Sequence, residues 1–290
     1  MGMKPFQQNR SLAEVSTFGI GGNARYFSEV DSIEELQEVL ACAYGQKLSF
    51  HILGKGSNSL FSDSGFDGLV IHNKINFCEM EGSKVYVGAG FSFSHLGVKT
   101  ARKGLSGLEF ASGIPASVGG AVYMNAGANG QETCNSLTEV TFVDEKGELE
   151  IFSAKDLLFS YRTSSFQSRR GAIAAARFQL ALDDKARKEQ LDIVAYRTKT
   201  QPYDALSCGC IFRNPNGEVA GALIEKSGLK NKQIGGAKVS SLHANFIINS
   251  EGASAKDVLA LAKYVRQTVK DKTNIELEME LREVPTTYDP

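Results

Sequence analysis

Residues 107–130, GLEFASGIPASVGGAVYMNAGANG, constrain this chain more than any other stretch. Seven of these residues are glycine or proline and five more are alanine, so the segment has little side-chain volume with which to bury a face of its own. Glycine loses more backbone entropy on folding than any other residue, and a cluster of glycines needs a physical reason. One reason is that main-chain N–H groups must come within hydrogen-bond distance of a bulky anion, as in phosphate-binding nests. A glycine-rich connection between strands is the plainer reading. The segment is too apolar for an exposed linker and too long for an ordinary loop, which favours the first.

Two shorter glycine segments precede it. Phe50-His51-Ile52-Leu53 reads as an apolar strand emptying into Gly54-Lys55-Gly56-Ser57-Asn58. Such a turn offers successive donors and hydroxyls to a pyrophosphate, although a plain strand–turn accounts for it equally well. It lacks the G-x-x-x-x-G-K-[ST] spacing of a P-loop. Gly19-Ile20-Gly21-Gly22-Asn23-Ala24 can be forced onto a dinucleotide fingerprint. The residues after it, Arg25–Val30, read as a strand where that fingerprint requires a helix, so a Rossmann site is rejected and the loop is kept as a ligand contact.

The remaining pattern alternates helices and strands. Asp31–Gln46 reads as a helix with Asp31 and Glu34 as its capping box, and 92–103 as a second helix stopped by Gly104. Strands are expected at Leu69–His72 and Val85–Gly88, with a hairpin of Glu139–Val143 and Glu148–Phe152 and a strand at Ala172–Leu182. A charged helix, 185–200, ends before Pro202 and reads as a bridge to a C-terminal lobe. That lobe holds a helix near Val219–Lys226, a strand at Asn245–Asn249, and a helix from Ser254 to about Lys272 capped by Ser254 and Asp257. Last comes an alternating strand with Ile275, Leu277, Met279 and Leu281 on one face and Glu276, Glu278, Glu280 and Arg282 on the other.

At 290 residues and net charge −1, with no block of like charges, the chain offers neither nucleic acid nor an anionic membrane a preferred surface. No apolar run approaches the ~20 residues of a membrane span, and the N-terminal segment lacks the apolar core of a leader. A cytoplasmic protein is expected. The five cysteines, an odd and scattered set, suit reduced thiols. The four histidines are far apart and Cys208-x-Cys210 has no second pair, so no metal site is expected.

Three residues could carry chemistry. Arg162 lies between aromatic-flanked segments and either makes a structural ion pair or grips a carboxylate bidentately. Cys210 is either a small buried hydrophobe or a thiol acid–base group beside a ligand. Glu280 sits on a charged face that also suits a solvated edge strand.

In combination the segments TFGIGGNA, ILGKGSNSLFSD, residues 107–130, YRTSSF, SCGCIFRNP, AGALIEKSGLKNKQIGGAKVS, HANFIIN and LEMELR resemble, in order, the UDP-N-acetylenolpyruvoylglucosamine reductases of peptidoglycan precursor synthesis. The likeness runs from about residue 10 to 283. No long insertion follows Tyr161-Arg162, as in the type II form. The resemblance implies an α+β chain. Its FAD-binding part, residues 1–184, would be of the PCMH/vanillyl-alcohol-oxidase kind, with two subdomains holding a non-covalent FAD. A bridging helix, 185–203, would lead to a C-terminal α+β substrate-binding domain, 204–290. It implies FAD contacts from Gly54, Lys55, Gly56, Ser57, Asn58, Gly113, Ile114, Pro115, Val118, Gly119, Gly120, Asn125, Ala126 and Gly127, and substrate contacts from Tyr161, Asn214 and Lys230.

The implied reaction passes hydride from NADPH through the flavin to C3 of an enolpyruvyl UDP-sugar. The charge that develops at C2 calls for a fixed cation and a proton donor. Arg162 matches the family's arginine and Glu280 its glutamate. Cys210 stands where the family's S-A-G-S motif places the proton-donating serine, and a thiol with pKa ~8.5 is a stronger acid than a hydroxyl. Ser207 aligns with the other serine. A monomer is expected. Two other readings compete: an oxidase of the same flavin fold, which would often carry a flavin-linked His or Cys, and a nucleotide-binding protein without chemistry, which leaves Arg162, Cys210 and Glu280 unexplained.

Overall fold

The computed structural model describes residues 6–215 and 217–288. Residues 1–5, the start of the segment read above as lacking a leader's apolar core, lie outside them, as do 289–290 at the end of the expected C-terminal domain. The chain forms two compact units interleaved along the sequence. Of the described residues, the first holds 6–7, 26–55 and 68–197, and the second holds 8–25, 56–67, 198–215 and 217–288.

In the first unit, helix α1 spans Ile33–Gly45. Its cap is Ser32, whose hydroxyl accepts the Glu35 N–H at 3.1 Å, while the Glu35 carboxylate accepts the Asp31 N–H at 2.8 Å. This corrects the expected Asp31–Glu34 box by one residue: Ser32, with φ −134° and ψ 165°, has the extended backbone a cap needs. Leu36, Val39, Leu40 and Ala43 bury the helix against Leu69 and Ile71 of the strand Phe66–Asn73, and against Val143, Ala172 and Ala174. Phe50–Leu53 pairs in parallel with that strand, Leu53 opposite His72.

Five antiparallel strands form the second sheet of this unit, in the order Leu149–Ser153, Leu137–Asp144, Gly171–Gln179, Lys84–Gly88 and Cys78–Glu81. The predicted hairpin is its first two strands, with Val143 opposite Leu149. Helix α2, Phe93–Ala101, and a short helix α3, Val118–Tyr123, pack on it through Phe93, Leu96, Val118, Ala121 and Val122. Helix α3 lies inside the glycine-rich stretch, where no helix was expected. Helix α4, Ala186–Thr200, follows the strands.

The second unit has its own core. An antiparallel sheet runs in the order Ser207–Cys210, Phe246–Asn249, Ala237–Val239 and Gln233–Ile234. Helices α5, Ala220–Lys226, and α6, Ala255–Thr273, share a hydrophobic cluster with it. The stripe Val258, Leu261, Ala262, Val265 and Val269 is buried as the spacing predicts, worth roughly 1.5–3 kcal/mol for each large side chain. Ser254 and Asp257 form the predicted capping box, and the Ser254 hydrogen bonds are the main reason the Asp257 carboxyl titrates below its usual range. The Asp63 carboxylate also accepts the N–H groups of Ala255 and Lys256, at 2.7 and 3.2 Å. The alternating C-terminal segment is a regular strand only at Arg282–Val284, paired in parallel with Ser59–Phe61. Before it, Met279 makes a single bridge to Phe212, because Arg213 N–H donates to Glu278 and Glu280 N–H to Ile211. Leu277 and Leu281 are buried all the same.

Candidate functional site

Strand Phe50–Leu53 ends in the loop Gly54–Asn58, which is shaped by its glycines. Gly56 is buried with φ +63°, a left-handed conformation that costs any other residue, and a Cβ there would sit 2.7 Å from the Val15 carbonyl oxygen. A Cβ on Gly54 would overlap Ser117 Oγ. Among the described residues, no protein acceptor engages the N–H groups of Lys55, Gly56 and Ser57. A buried main-chain donor is almost always paired, so the open N–H of buried Gly56, flanked by those of Lys55 and Ser57 around a left-handed glycine, suits an anion. Lys55 Nζ donates to Ser92 Oγ at 2.8 Å, and partial burial lowers its pKa.

The glycine-rich segment is built differently. Ser92 caps α2, Ser117 caps α3, and the two serines form a bridge. The first amides of α3 are all taken: Val118 N–H donates to Phe91, Gly119 N–H to Ala89 and Gly120 N–H to Ser117 Oγ. The amides of 118–120 are therefore not open to a ligand, unlike those of Lys55, Gly56 and Ser57. At Gly119 the missing side chain serves close packing, since a Cβ would stand 2.9 Å from that of Ala89. Gly113 is buried, and the Arg197 side chain lies where its Cβ would be. Ile114 N–H returns to Ala111, and Pro115 leads into the cap. Ala126 accepts from Thr133, and Gly127 abuts the Gln131 carbonyl.

Asn125, fully buried with φ 42°, spends its side chain on the protein. Its Nδ2 donates to Glu132 Oε2 at 2.8 Å and Ser160 O at 3.1 Å, and its Oδ1 accepts the Cys134 N–H. Ser160 begins a small hairpin, Phe159–Ser160 paired with Thr163–Ser164, with Tyr161 and Arg162 at its tip. Arg162 has φ +57°, and its guanidinium lies 4.8 Å from the exposed Tyr161 ring.

In the second unit the strand Ser207–Cys210 bulges at Gly209, φ +80°, between the pairs Ser207–Ile248 and Cys210–Phe246. Bulges re-aim side chains, and this one sets the partly buried Cys210. The Ile211 carbonyl accepts the Glu280 N–H at 2.8 Å, which puts the Cys210 and Glu280 segments side by side. Asn58 Nδ2 holds the Glu280 carbonyl at 3.2 Å and Asn58 O accepts the Arg282 N–H. Glu280 is partly buried, not on a solvated edge. Burial first, then the charges of Cys210 and Glu280, push the Cys208 thiol far up, leaving it a neutral packing group.

Asn214 Oδ1 accepts the Ala220 N–H at the start of α5, and Lys230 pairs with Glu225 at 2.7 Å. Residues passed over in the sequence include Thr17, whose hydroxyl donates to Ser207 O at 2.7 Å and Gly56 O at 3.3 Å. The TFGIGGNA loop thus ties Gly56 to the cysteine strand. Ser117 was also passed over, although serine before a helical run is a recognisable cap signal. Among the described residues, no three His, Cys, Asp or Glu side chains cluster as metal ligands, and no helix is long and apolar enough to cross a membrane.

Known proteins resemble this chain over nearly its whole length. A family profile described as UDP-N-acetylenolpyruvoylglucosamine reductase, C-terminal domain, matches residues 201–284, and one described as FAD binding domain matches 24–153. The UDP-N-acetylenolpyruvoylglucosamine reductase of Protochlamydia amoebophila is 58% identical over 98% of this chain and 95% of its own length. That of Chlamydia muridarum is 46% identical over 96% and 94%. The crystal structure of the Thermus caldophilus enzyme superposes with a TM-score of 0.83 at 34% identity, covering 97% of this chain and all of that one.

Proposed function

Because this chain belongs to the UDP-N-acetylenolpyruvoylglucosamine reductase family, we propose a division of that enzyme's work among its residues. The chain is an FAD-dependent oxidoreductase of peptidoglycan precursor synthesis that reduces an enolpyruvyl UDP-sugar to UDP-N-acetylmuramate with NADPH. Bound FAD supplies the relay of hydride from NADPH to substrate. The observation that carries the residue assignment is the loop Gly54–Ser57, whose open amides and left-handed glycine fit a pyrophosphate. Lys55 adds charge, and Asn58 orders the strand that carries Glu280. Gly113, Ile114, Pro115, Val118, Gly119, Gly120, Ala126 and Gly127 provide a side-chain-poor wall for the cofactor.

Arg162 stabilises the negative charge that develops on the substrate carboxylate and C2 when hydride arrives at C3. Cys210 donates the proton to C2, with Glu280 as its acidic neighbour. Tyr161, Asn214 and Lys230 contact the UDP-sugar. The cofactor part spans 1–184, the bridging helix 185–203 and the substrate part 204–290, with 8–25 and 56–67 packing in the second compact unit. The protein works as a cytoplasmic monomer, without nucleic-acid or membrane partners.

Single variants of the two neighbouring cysteines test the proton donor. Cys210→Ala is expected to slow substrate-dependent flavin reoxidation by about 10²–10⁴-fold, the usual worth of a general acid. Cys210→Ser should recover part of that rate, and Cys208→Ala, which removes only a neutral packing group, should change it by no more than a few fold. A normal rate in Cys210→Ala would move the role to Ser207.

A further inference from the structure

Arg162 has a backbone conformation that an arginine does not hold unaided, and the surrounding bonds show what holds it. A non-glycine residue at φ +57° costs about 1–2 kcal/mol and persists where neighbours over-determine it. The pairing of Phe159–Ser160 with Thr163–Ser164 closes the turn, and the Gln167 side chain adds a restraint on Arg162 itself. Its Nε2 donates to the Arg162 carbonyl at 3.0 Å and to the Tyr123 carbonyl, at the end of α3, at 3.1 Å. Met124 Sδ lies 3.7 Å from the same nitrogen. Ser164 Oγ donates to the Tyr123 carbonyl at 2.6 Å, and Asn125 Nδ2 holds Ser160 O on the other arm of the hairpin. Both hydrogens of one amide are thus spent on two carbonyls, one belonging to the turn and one to the helix end.

We infer that Gln167 is a positioning residue for the reaction: it fixes the Arg162 turn to the C-terminal end of α3, and so sets where the guanidinium meets the developing charge. The inference rests on the role assigned to Arg162 above. Gln167 touches neither substrate nor cofactor in this account. Its effect passes through the geometry of the turn, and misplacing a charged group by about 1 Å can cost 10²-fold in rate.

Three substitutions of the full-length, FAD-loaded enzyme test it. Gln167→Met keeps length and volume without donors, Gln167→Glu sets an acceptor against two carbonyls, and Gln167→Lys restores donors. Anaerobic stopped-flow measurements give flavin reduction by NADPH and reoxidation by the enolpyruvyl UDP-sugar separately, and flavin fluorescence gives FAD affinity. Met and Glu are expected to lower the reoxidation rate at saturating substrate tenfold or more, leaving reduction and FAD affinity within about twofold, and Lys should recover most of the loss. Reoxidation at the parent rate in Gln167→Met, or equal losses in both half-reactions, would overturn the inference. Arg162→Ala run alongside separates the two ideas. If it is impaired while Gln167→Met is normal, the positioning role fails and the arginine's role stands; if Arg162→Ala is itself normal, the underlying reading fails.

Discussion

Arg162→Ala is expected to keep its flavin, accept hydride from NADPH at close to the normal rate, and then fail to pass it on. Reoxidation by the enolpyruvyl UDP-sugar should fall by at least 10²–10³-fold, the usual loss when a donor aimed at developing charge is removed. The substitution is a clean one for the backbone. Alanine at φ +57° bears a conformational cost similar to arginine's, so the turn loses its guanidinium and the stacking on Tyr161 without a change in local preference. Arg162→Lys should fall between the two, since it keeps the charge but not the planar fork. The measurement is anaerobic stopped-flow absorbance at the flavin bands, with each half-reaction followed alone. Turnover at the parent rate would remove the arginine from the chemistry.

Gly56→Ala should lose the cofactor. Its Cβ would meet the Val15 carbonyl oxygen at 2.7 Å and Ser16 Cα at 2.8 Å, both backbone atoms that cannot rotate away. With the cost of the left-handed conformation added, the expected destabilisation is about 2–4 kcal/mol, and the amides of the loop are displaced together. FAD affinity should drop more than tenfold, which corresponds to about 1.4 kcal/mol of binding. Gly82→Ala is the control: it has φ +57° but no atom within 4 Å of the added Cβ. It isolates the conformational cost and should leave FAD affinity unchanged. Flavin retention on purification and fluorescence titration of the apoprotein read both variants. Equal FAD affinity in Gly56→Ala and the parent would show that the loop does not cradle the cofactor.

Much of this was legible where local chemistry decides the structure. Strand Phe50–Leu53 and the capping box of Ser254 with Asp257 appear as read, because an apolar run ended by glycine and a serine before an apolar stripe are local signals. Helix α3 was not legible. Val118-Gly119-Gly120 has poor intrinsic helix propensity, and the turn forms because Phe91 and Ala89 accept its first amides from far along the chain. The same long-range bonds take the first amides of α3 within residues 107–130, since glycine marks close approach without saying whether the visitor is a ligand or another strand. Nor does any change in composition announce that 8–25 and 56–67 pack with the C-terminal residues. Phe18, Ile20 and Leu60 belong to that core only through contacts made in three dimensions. For the site, Cys210 and Glu280 were found as residue types in a familiar order. The bulge at Gly209 and the bonds from Ile211 and Asn58 that align their segments had no sequence signal of their own.

The most direct test of the whole account is a two-step experiment on the unmodified protein. It should purify yellow, its visible flavin absorbance should bleach with one equivalent of NADPH under anaerobic conditions, and the colour should return on adding the enolpyruvyl UDP-sugar but not UDP-N-acetylglucosamine. A protein that stays colourless after incubation with FAD, or whose reduced flavin ignores the enolpyruvyl sugar, would contradict it.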